Sequence, residues 1–437
     1  MPSLIIDHLG QGYKYNPETP MGPSGGVGTL FEARKQTGDR TMYVFKLVSN
    51  PKLMADPFKI NSSIVKFEKL LRYKEDIDLI DEICFPVSYV SAPAGYIMRK
   101  ITPSYKEVVN LINGKGTIQK RLDSAYRIMR AIAALHKKGY HYGDVNARNF
   151  MYDVSLNRND LLVIDCDTVG KDPEKTGFGT PGYRDPLGVF DQHSDSFRAA
   201  KLAFLILSGL HPFASGKKAL AENPYIEDCL NECDRGNYTY ILDGADNSNA
   251  WAPTSQQDSF RLKCFTPELL DLFNTMFNAG LRDATVRPPA IEFAKVLFSA
   301  ILRLRACSSC EFYNYVSATS VSNVCPRCGT TNRYSPVVVR LGDQVLPVVV
   351  SGSGTNIPNY VFMQYLSPVP EEVNQLFEPL LTIKRHEGKA YISANKGNQY
   401  INTLKFNGNK PDREVTIAQG GELTITINDN RVAISLP

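Results

Sequence analysis

Apolar positions recur along this chain with two periods, and the changes between them divide it. Near the start the period is two. Met42-Tyr43-Val44-Phe45-Lys46-Leu47-Val48 reads as a buried strand carrying one lysine, and residues 86–90 and 95–101 read as a hairpin. Between them Ile64, Phe67, Leu70 and Leu71 mark an amphipathic helix. A helical stripe follows, Leu122, Ala125, Met129, Ile132 and Leu135, ending before Gly139. Residues 161–164 make a short buried strand, and Asp195-Ser196-Phe197 opens an apolar helix closed by Ser208-Gly209. Residues 214–262 are rich in Asn, Asp and Ser, hold the sole tryptophan, Trp251, and read as an insertion between helices. Thr266-Pro267-Glu268 caps a helix whose buried face is Leu269, Leu272, Phe273 and Met276. A last helix follows Arg287-Pro288-Pro289 and ends near Arg305. From Ser335 alternation returns in short runs at 337–341, 345–350, 381–384, 390–393, 415–417, 423–427 and 432–436. Turns such as Asn407-Gly408 and Gly420-Gly421 separate them, so a small β-sandwich is expected.

Composition narrows the class. At 437 residues, 43% apolar and 22% charged, the chain reads as globular with two to four domains. A net charge of +4 is too small to argue for nucleic acid or a membrane surface as partner. No apolar run approaches a membrane span, and Met1-Pro2-Ser3-Leu4 opens no signal peptide. Nine cysteines are an odd number, and four of them form two CxxC units, which favours a reducing, cytoplasmic setting. Cys307-Ser308-Ser309-Cys310 and Cys325-Pro326-Arg327-Cys328 are each able to put two thiolates on one knuckle. Two knuckles give a closed tetrahedral site that selects Zn²⁺; two redox pairs or four buried thiols are the alternatives. Cys84, Cys166, Cys229, Cys233 and Cys264 are scattered and read as ordinary buried residues.

The candidate chemistry lies mid-chain, in His141-Tyr142-Gly143-Asp144-Val145-Asn146-Ala147-Arg148-Asn149-Phe150 and then Leu162-Val163-Ile164-Asp165-Cys166-Asp167. An aspartate, an asparagine five residues on and an aspartate ending an apolar strand suit a hydroxyl nucleophile beside Mg²⁺-bound phosphates. As turn and capping residues they carry no chemistry, and that alternative stands on spacing alone. Gly22-Pro23-Ser24-Gly25-Gly26-Val27-Gly28 suits backbone amides closing over a polyphosphate, or a flexible surface loop. Lys46 is a candidate phosphate ligand, or a solvated edge lysine.

Helix, polar loop, strand and acidic turn come in the order of the catalytic segment of eukaryotic-like (Hanks-type) Ser/Thr protein kinases, which the chain resembles over roughly residues 20–300. The resemblance implies an α+β, bilobal kinase fold with N-lobe 1–101 and C-lobe 102–303, to which the cysteine knuckles and the later alternation add a zinc ribbon at 304–334 and a β-sandwich at 335–437. It matches Asp144 to the HRD aspartate, Asn149 to the loop asparagine and Asp165 to the DFG aspartate. ATP would be held by Gly25, Gly26, Gly28 and Lys46, with Met98 as gatekeeper and Lys100 in the hinge. Asn149 and Asp165 would hold Mg²⁺, and Glu68 would pair with Lys46. Asp195 would brace the catalytic loop, and Gly179-Thr180-Pro181-Gly182-Tyr183-Arg184-Asp185-Pro186 resembles the peptide-docking end of the activation loop.

Departures accompany it. Pro23 stands where the first loop glycine belongs, and Tyr142 and Gly143 replace the HRD histidine and arginine. Asn146 replaces the lysine that steadies the γ-phosphate, Cys166-Asp167 replaces the DFG tail, and Leu187 replaces the APE glutamate. With no arginine before Asp144, loop phosphorylation is not expected to be required. The pattern is similar to atypical bacterial kinases, and the adjoining zinc ribbon to kinases of tellurite-resistance-type stress systems. That likeness implies a protein substrate, with a phosphatase and a von Willebrand A protein as partners. A nucleotide-binding pseudokinase scaffold and a small-molecule kinase are the rival readings. The C-terminal strands bear a distant likeness to forkhead-associated phosphothreonine readers, with Arg385-His386 and Asn407-Gly408 as candidate loops, although the signatures of those readers are absent.

Overall fold

A computed structural model of the chain describes all residues except 1, 23–27, 39, 50–56, 115, 156–159, 172–178, 224, 256, 257, 259, 318–321 and 352. It is a mixed α+β structure with several sheets. Six antiparallel strands open it: β1 (Ser3–Ile6), β2 (Gly12–Pro20), β3 (Gly28–Lys35), β4 (Met42–Val48), β5 (Ser88–Val90) and β6 (Gly95–Arg99), in the order β1-β2-β3-β4-β6-β5. β4 pairs on both edges and is covered on both faces, and the cover is why its residues are apolar on both. Its alternation puts Tyr43 and Phe45 into one core with Phe31 and Ile97, and Val48 into another with Tyr96 and Phe67. Lys46 shares the second face. Phe67 comes from α1 (Pro57–Leu71), the helix expected between β4 and the hairpin.

A mainly helical region follows. Thr117 caps α2 (Ile118–Lys137) by accepting from the Lys120 amide at 3.2 Å, and Asp191 caps α3 (Gln192–Ser208) through Ser194 at 2.8 Å. Gly209, at φ 70°, ends α3 in the left-handed conformation that a side chain resists. Thr266 and Pro267 start α4 (Pro267–Phe277), and α5 (Ala290–Arg303) packs along α2. The mid-chain loop leads into the second strand of a three-stranded antiparallel sheet, Tyr105–Glu107, Phe150–Asp153 and Leu161–Val163, and the turn holding Asp165 follows the third.

The segment 214–262 is more than a polar insertion. It forms helices Lys217–Glu222 and Ile226–Asp234, and buries Cys229, Cys233, Tyr238, Tyr240 and Ile241 in the core of the helical region. Its apolar residues are too sparse to show a period, yet the buried ones join a core that α3 and α4 also line, while Leu220, Tyr225 and Ile226 stay exposed.

Beyond α5 come two short hairpins, Leu304–Ala306 with Tyr313–Tyr315 and Ser322–Val324 with Thr331–Arg333. Two larger sheets close the chain. One has the order Gln344–Val348, Val337–Leu341, Asn430–Ser435, Glu422–Ile427, Leu404–Phe406; the other has Thr355–Pro358, Pro379–His386, Lys389–Ala394, Val415–Ile417. Val339, Ile434 and Ile425 of the first share one core with Ile357, Leu381 and Ile392 of the second. Thr355–Pro358 shows no apolar alternation, and its proline suits the edge position that it takes. This β region is docked on the helices. Tyr126, Phe298, Tyr360 and Phe377 form an aromatic cluster, Tyr360 Oη lies 2.9 Å from Ser299 Oγ, and the Val349 amide donates to Leu302 O at 2.8 Å. Among the described residues no helix is long and apolar enough to cross a membrane.

Candidate functional site

The mid-chain loop is held from beneath by Asp195. This carboxylate, fully buried in the first turn of α3, accepts from the Tyr142 amide at 2.5 Å and the Gly143 amide at 2.9 Å, with His136 Nε2 3.4 Å away. Burial pushes the Asp195 carboxyl upward, but His136 and the two amides outweigh it and hold it below its ordinary value. Gly143 has φ 88°, and a Cβ there would stand 3.1 Å from Thr168 O, so both backbone and space require glycine. Arg198, one turn along α3 from Asp195, donates to Gly143 O, and its guanidinium lies 4.0 Å from the Phe190 ring centroid. Sequence reading missed Arg198, because only the helix register brings it under the loop. Tyr142 donates from its buried hydroxyl to Ile164 O at 2.5 Å and ties the loop to the strand before Asp165.

Asp144 and Asn149 come together as the spacing anticipates. Asn149 Nδ2 donates to both Asp144 O and Asp144 Oδ2 at 2.9 Å, and Asn149 Oδ1 takes no hydrogen bond from the described residues. Asn146 stitches the loop, donating to Asp144 O at 3.2 Å and accepting from the Arg148 amide at 2.9 Å. Thr180 Oγ1 is 3.5 Å from Asp144 Oδ1, which brings the 179–186 segment to the same place.

Lys46 reaches across from β4. Its ammonium bonds Asp165 Oδ1 and lies 3.3 Å from Asp167 Oδ2, while Tyr96 Oη sits 3.3 Å from Asp165 Oδ1. Asp165 has φ 56°, a left-handed conformation that costs a non-glycine residue of order 1 kcal/mol and is held here by these contacts. Burial lowers the Lys46 ammonium, but Asp167 and Asp165 reverse it, so the net shift is upward. The Asp167 carboxyl is raised, chiefly by burial, against the pull of Lys46.

The expected Lys46–Glu68 pair is not formed. Glu68 lies on the outer face of α1, its side chain 49% exposed, with Arg72 at 3.2 Å. The stripe Ile64, Phe67, Leu70 sets that register: Phe67 packs on Tyr96 at 5.1 Å between centroids, which turns its neighbour outward. Met98 lies on the Lys46 face of β6, paired with Val44, and the Lys100 ammonium is engaged by Glu32. Gly28 opens β3, where a Cβ would stand 2.2 Å from Leu47 O, so strand packing alone requires a glycine there. Gly25 and Gly26 lie outside the described residues.

Under the 179–186 segment is a second polar cluster. Asp185, two residues before the leucine that replaces the expected glutamate, forms a fork with Arg287 at 2.6 and 2.9 Å. Burial pushes Asp185 upward, but the guanidinium holds it below its ordinary value. Lys201 donates to Arg184 O at 2.7 Å and lies 3.3 Å from Asp234 Oδ1, and Asp234 Oδ2 accepts from the Gly182 amide at 2.7 Å.

The four knuckle cysteines form a candidate metal centre. Cys307 and Cys328 Sγ are 3.8 Å apart, Cys310 and Cys325 Sγ 3.7 Å, and all four sulfurs lie within 4.8 Å of one another. A tetrahedron with Zn–S bonds of about 2.3 Å has edges of about 3.8 Å, so these cysteines are placed to bind a metal ion. The four thiols share protons among themselves: the Ser309 amide first, with Asn332, lowers Cys307, and Thr330 lowers Cys328, while, against the Phe312 amide, burial and the other three cysteines raise Cys310. All nine cysteines are free of disulfides.

A scan of protein-family models finds no match to the chain, and a search of curated proteins finds none either. Functional argument therefore rests on this geometry: a carboxylate–amide pair, a lysine held by two carboxylates, and four convergent thiols.

Proposed function

We propose that this chain is an ATP- and Mg²⁺-dependent Ser/Thr protein kinase of bilobal form, with a zinc-bound knuckle pair and a C-terminal β region. The observation that carries the reading is the meeting of Lys46 with Asp165, 119 residues apart, beside the Asp144–Asn149 pair. The residues fit the implied cation: Asn149 Oδ1 and Asp165 Oδ2 accept no hydrogen bond from the described residues, leaving two hard oxygen donors. Bound Mg²⁺ supplies neutralisation of polyphosphate charge. The chain's own residues do the rest. Lys46 offers its ammonium to the α/β-phosphates, Asp144 accepts or orients the substrate hydroxyl, and Asp195 keeps the loop rigid through two amides.

A second reading, a nucleotide-binding scaffold, draws support from Glu68 standing away from Lys46. Purified protein incubated with labelled ATP, alone and with a lysate, separates the two. Mg²⁺-dependent label on the chain or on a lysate protein is expected. Nucleotide binding without any transfer would favour the scaffold.

The thiol set favours Zn²⁺ in the knuckles. Few apolar residues lie between 304 and 334, so metal binding should contribute on the order of 10 kcal/mol to folding there. Elemental analysis should find one zinc per chain, and Cys325→Ser should disorder the knuckles while the helical region stays folded. Well under one zinc in chelator-free preparations would refute the assignment.

A further inference from the structure

Lys46 carries the charge of the site, and its surroundings differ in origin from those the kinase resemblance leads one to expect. Both of its carboxylate partners, Asp165 and Asp167, come from one three-residue stretch. Helix α1 offers it none. Glu68 faces solvent with Arg72, and the α1 charge felt by Asp167 is the cation Lys66, which draws its carboxyl downward. A carboxylate on α1 at that range would repel Asp167, whereas a lysine is attracted. The carboxylates that hold Lys46 therefore lie in the 165–167 turn, and α1 faces Asp167 with a cation.

The two aspartates are not equivalent. Asp165 is the more open, with 37% of its side chain exposed against 12% for Asp167, and it also receives Tyr96. It is the one available to a cation entering from solvent. Once Asp165 oxygens are committed to a cation, Lys46 keeps one partner in reach, the buried Asp167 at 3.3 Å. We propose that Asp167 is the positioning residue for Lys46, in place of a glutamate from the helix. The assignment rests on the kinase reading above. It makes Lys46 placement a property of β4 and the 165–167 turn, so displacement of α1 does not by itself disarm the lysine.

The test is a double-variant cycle on nucleotide affinity, with calorimetric titration of Mg·ATP into the full chain. Asp167→Asn, which keeps the side-chain volume, should weaken binding about tenfold, the worth of a lost charge-assisted bond. Asp167→Ala serves as a second variant, and Asp167→Glu should restore part of the affinity. In a Lys46→Met background Asp167→Asn should change affinity little, because the partner it acts through is gone. Glu68→Ala should alter affinity by less than about twofold, as for an exposed pair. Additive losses from Asp167→Asn and Lys46→Met, or a Glu68→Ala defect that is non-additive with Lys46→Met, would overturn the assignment while leaving the kinase reading intact. A wild-type chain that binds no nucleotide would overturn both.

Discussion

Two buried lysines, Lys46 and Lys201, are shifted in opposite directions. Lys46 has two carboxylates for one ammonium, and its pKa is raised against the cost of burial. Lys201, fully buried, has one carboxylate and a carbonyl, and burial lowers it despite Asp234. Around Lys201 charges match one for one, and Arg287 beside it uses its Nε on Gly280 O and both terminal nitrogens on Asp185. Around Lys46 two carboxylates contact one ammonium, with Lys66 acting on Asp167 only at longer range, and two oxygens stay without donors among the described residues. Saturated clusters hold geometry. Clusters with spare lone pairs are able to exchange partners, as a site that admits a cation and a polyphosphate must.

Substitution should separate the two clusters cleanly. The largest effect is expected at Asp144 and in rate alone. Asp144→Asn should cut phosphoryl transfer by roughly two to four orders of magnitude while nucleotide affinity and thermal stability stay near wild type. Comparable loss of stability would mean that Asp144 belongs with the holding cluster.

The converse holds for Arg287 and Asp185, whose side chains are 0% and 1% exposed. Asp185→Ala leaves a buried guanidinium without its partner and should destabilise the helical region by about 3–5 kcal/mol in urea unfolding. Joint replacement by Asp185→Leu and Arg287→Met should recover most of that, since no lone charge remains. A double variant as unstable as the single one would show that the pair does more than cancel charge.

His211 gives a smaller, pH-tuned version. Its Nε2 bonds Gly182 O at 2.9 Å, and its Nδ1 accepts from the Phe213 and Ala214 amides at 3.2 and 2.9 Å. A proton on Nδ1 would face two N–H groups. Burial first, and Lys201 next, depress it from 6.5 to about 3. The neutral ring therefore stabilises the fold fully above pH 6.5, and the contribution is lost as pH falls toward 3. At about pH 4.5 the loss should reach about 3 kcal/mol. Urea midpoints measured from pH 7 to 4.5 should show this slope in wild type and a flatter one in His211→Asn.

The least effect is expected from the loop itself. Phosphatase treatment or Thr168→Ala should change activity by less than about tenfold, because Gly143 offers no charge to a phosphate. Arg198, committed to Gly143 O and Phe190, sharpens the point: a large loss restored by re-phosphorylation would mean that this arginine swings to the phosphate.

Features carried by local spacing were legible in the chain alone. The alternation at 42–48 marked β4 with its observed ends, the stripe from Leu122 to Leu135 marked α2, and the knuckle cysteines met as their CxxC spacing implied. Asp144 and Asn149 were also near enough in sequence for one loop to join them. Charge pairing was not legible. Glu68 was the partner expected for Lys46, and hydrophobic packing decided against it, since burying Phe67 against Tyr96 turned Glu68 into water, while Asp167, which no spacing marked, lies 3.3 Å from the ammonium. Arg198 under Gly143 and Arg287 on Asp185 joined residues 55 and 102 apart. An ion pair is strong only where folding has removed water from around it, and no local pattern of residues says where that will be.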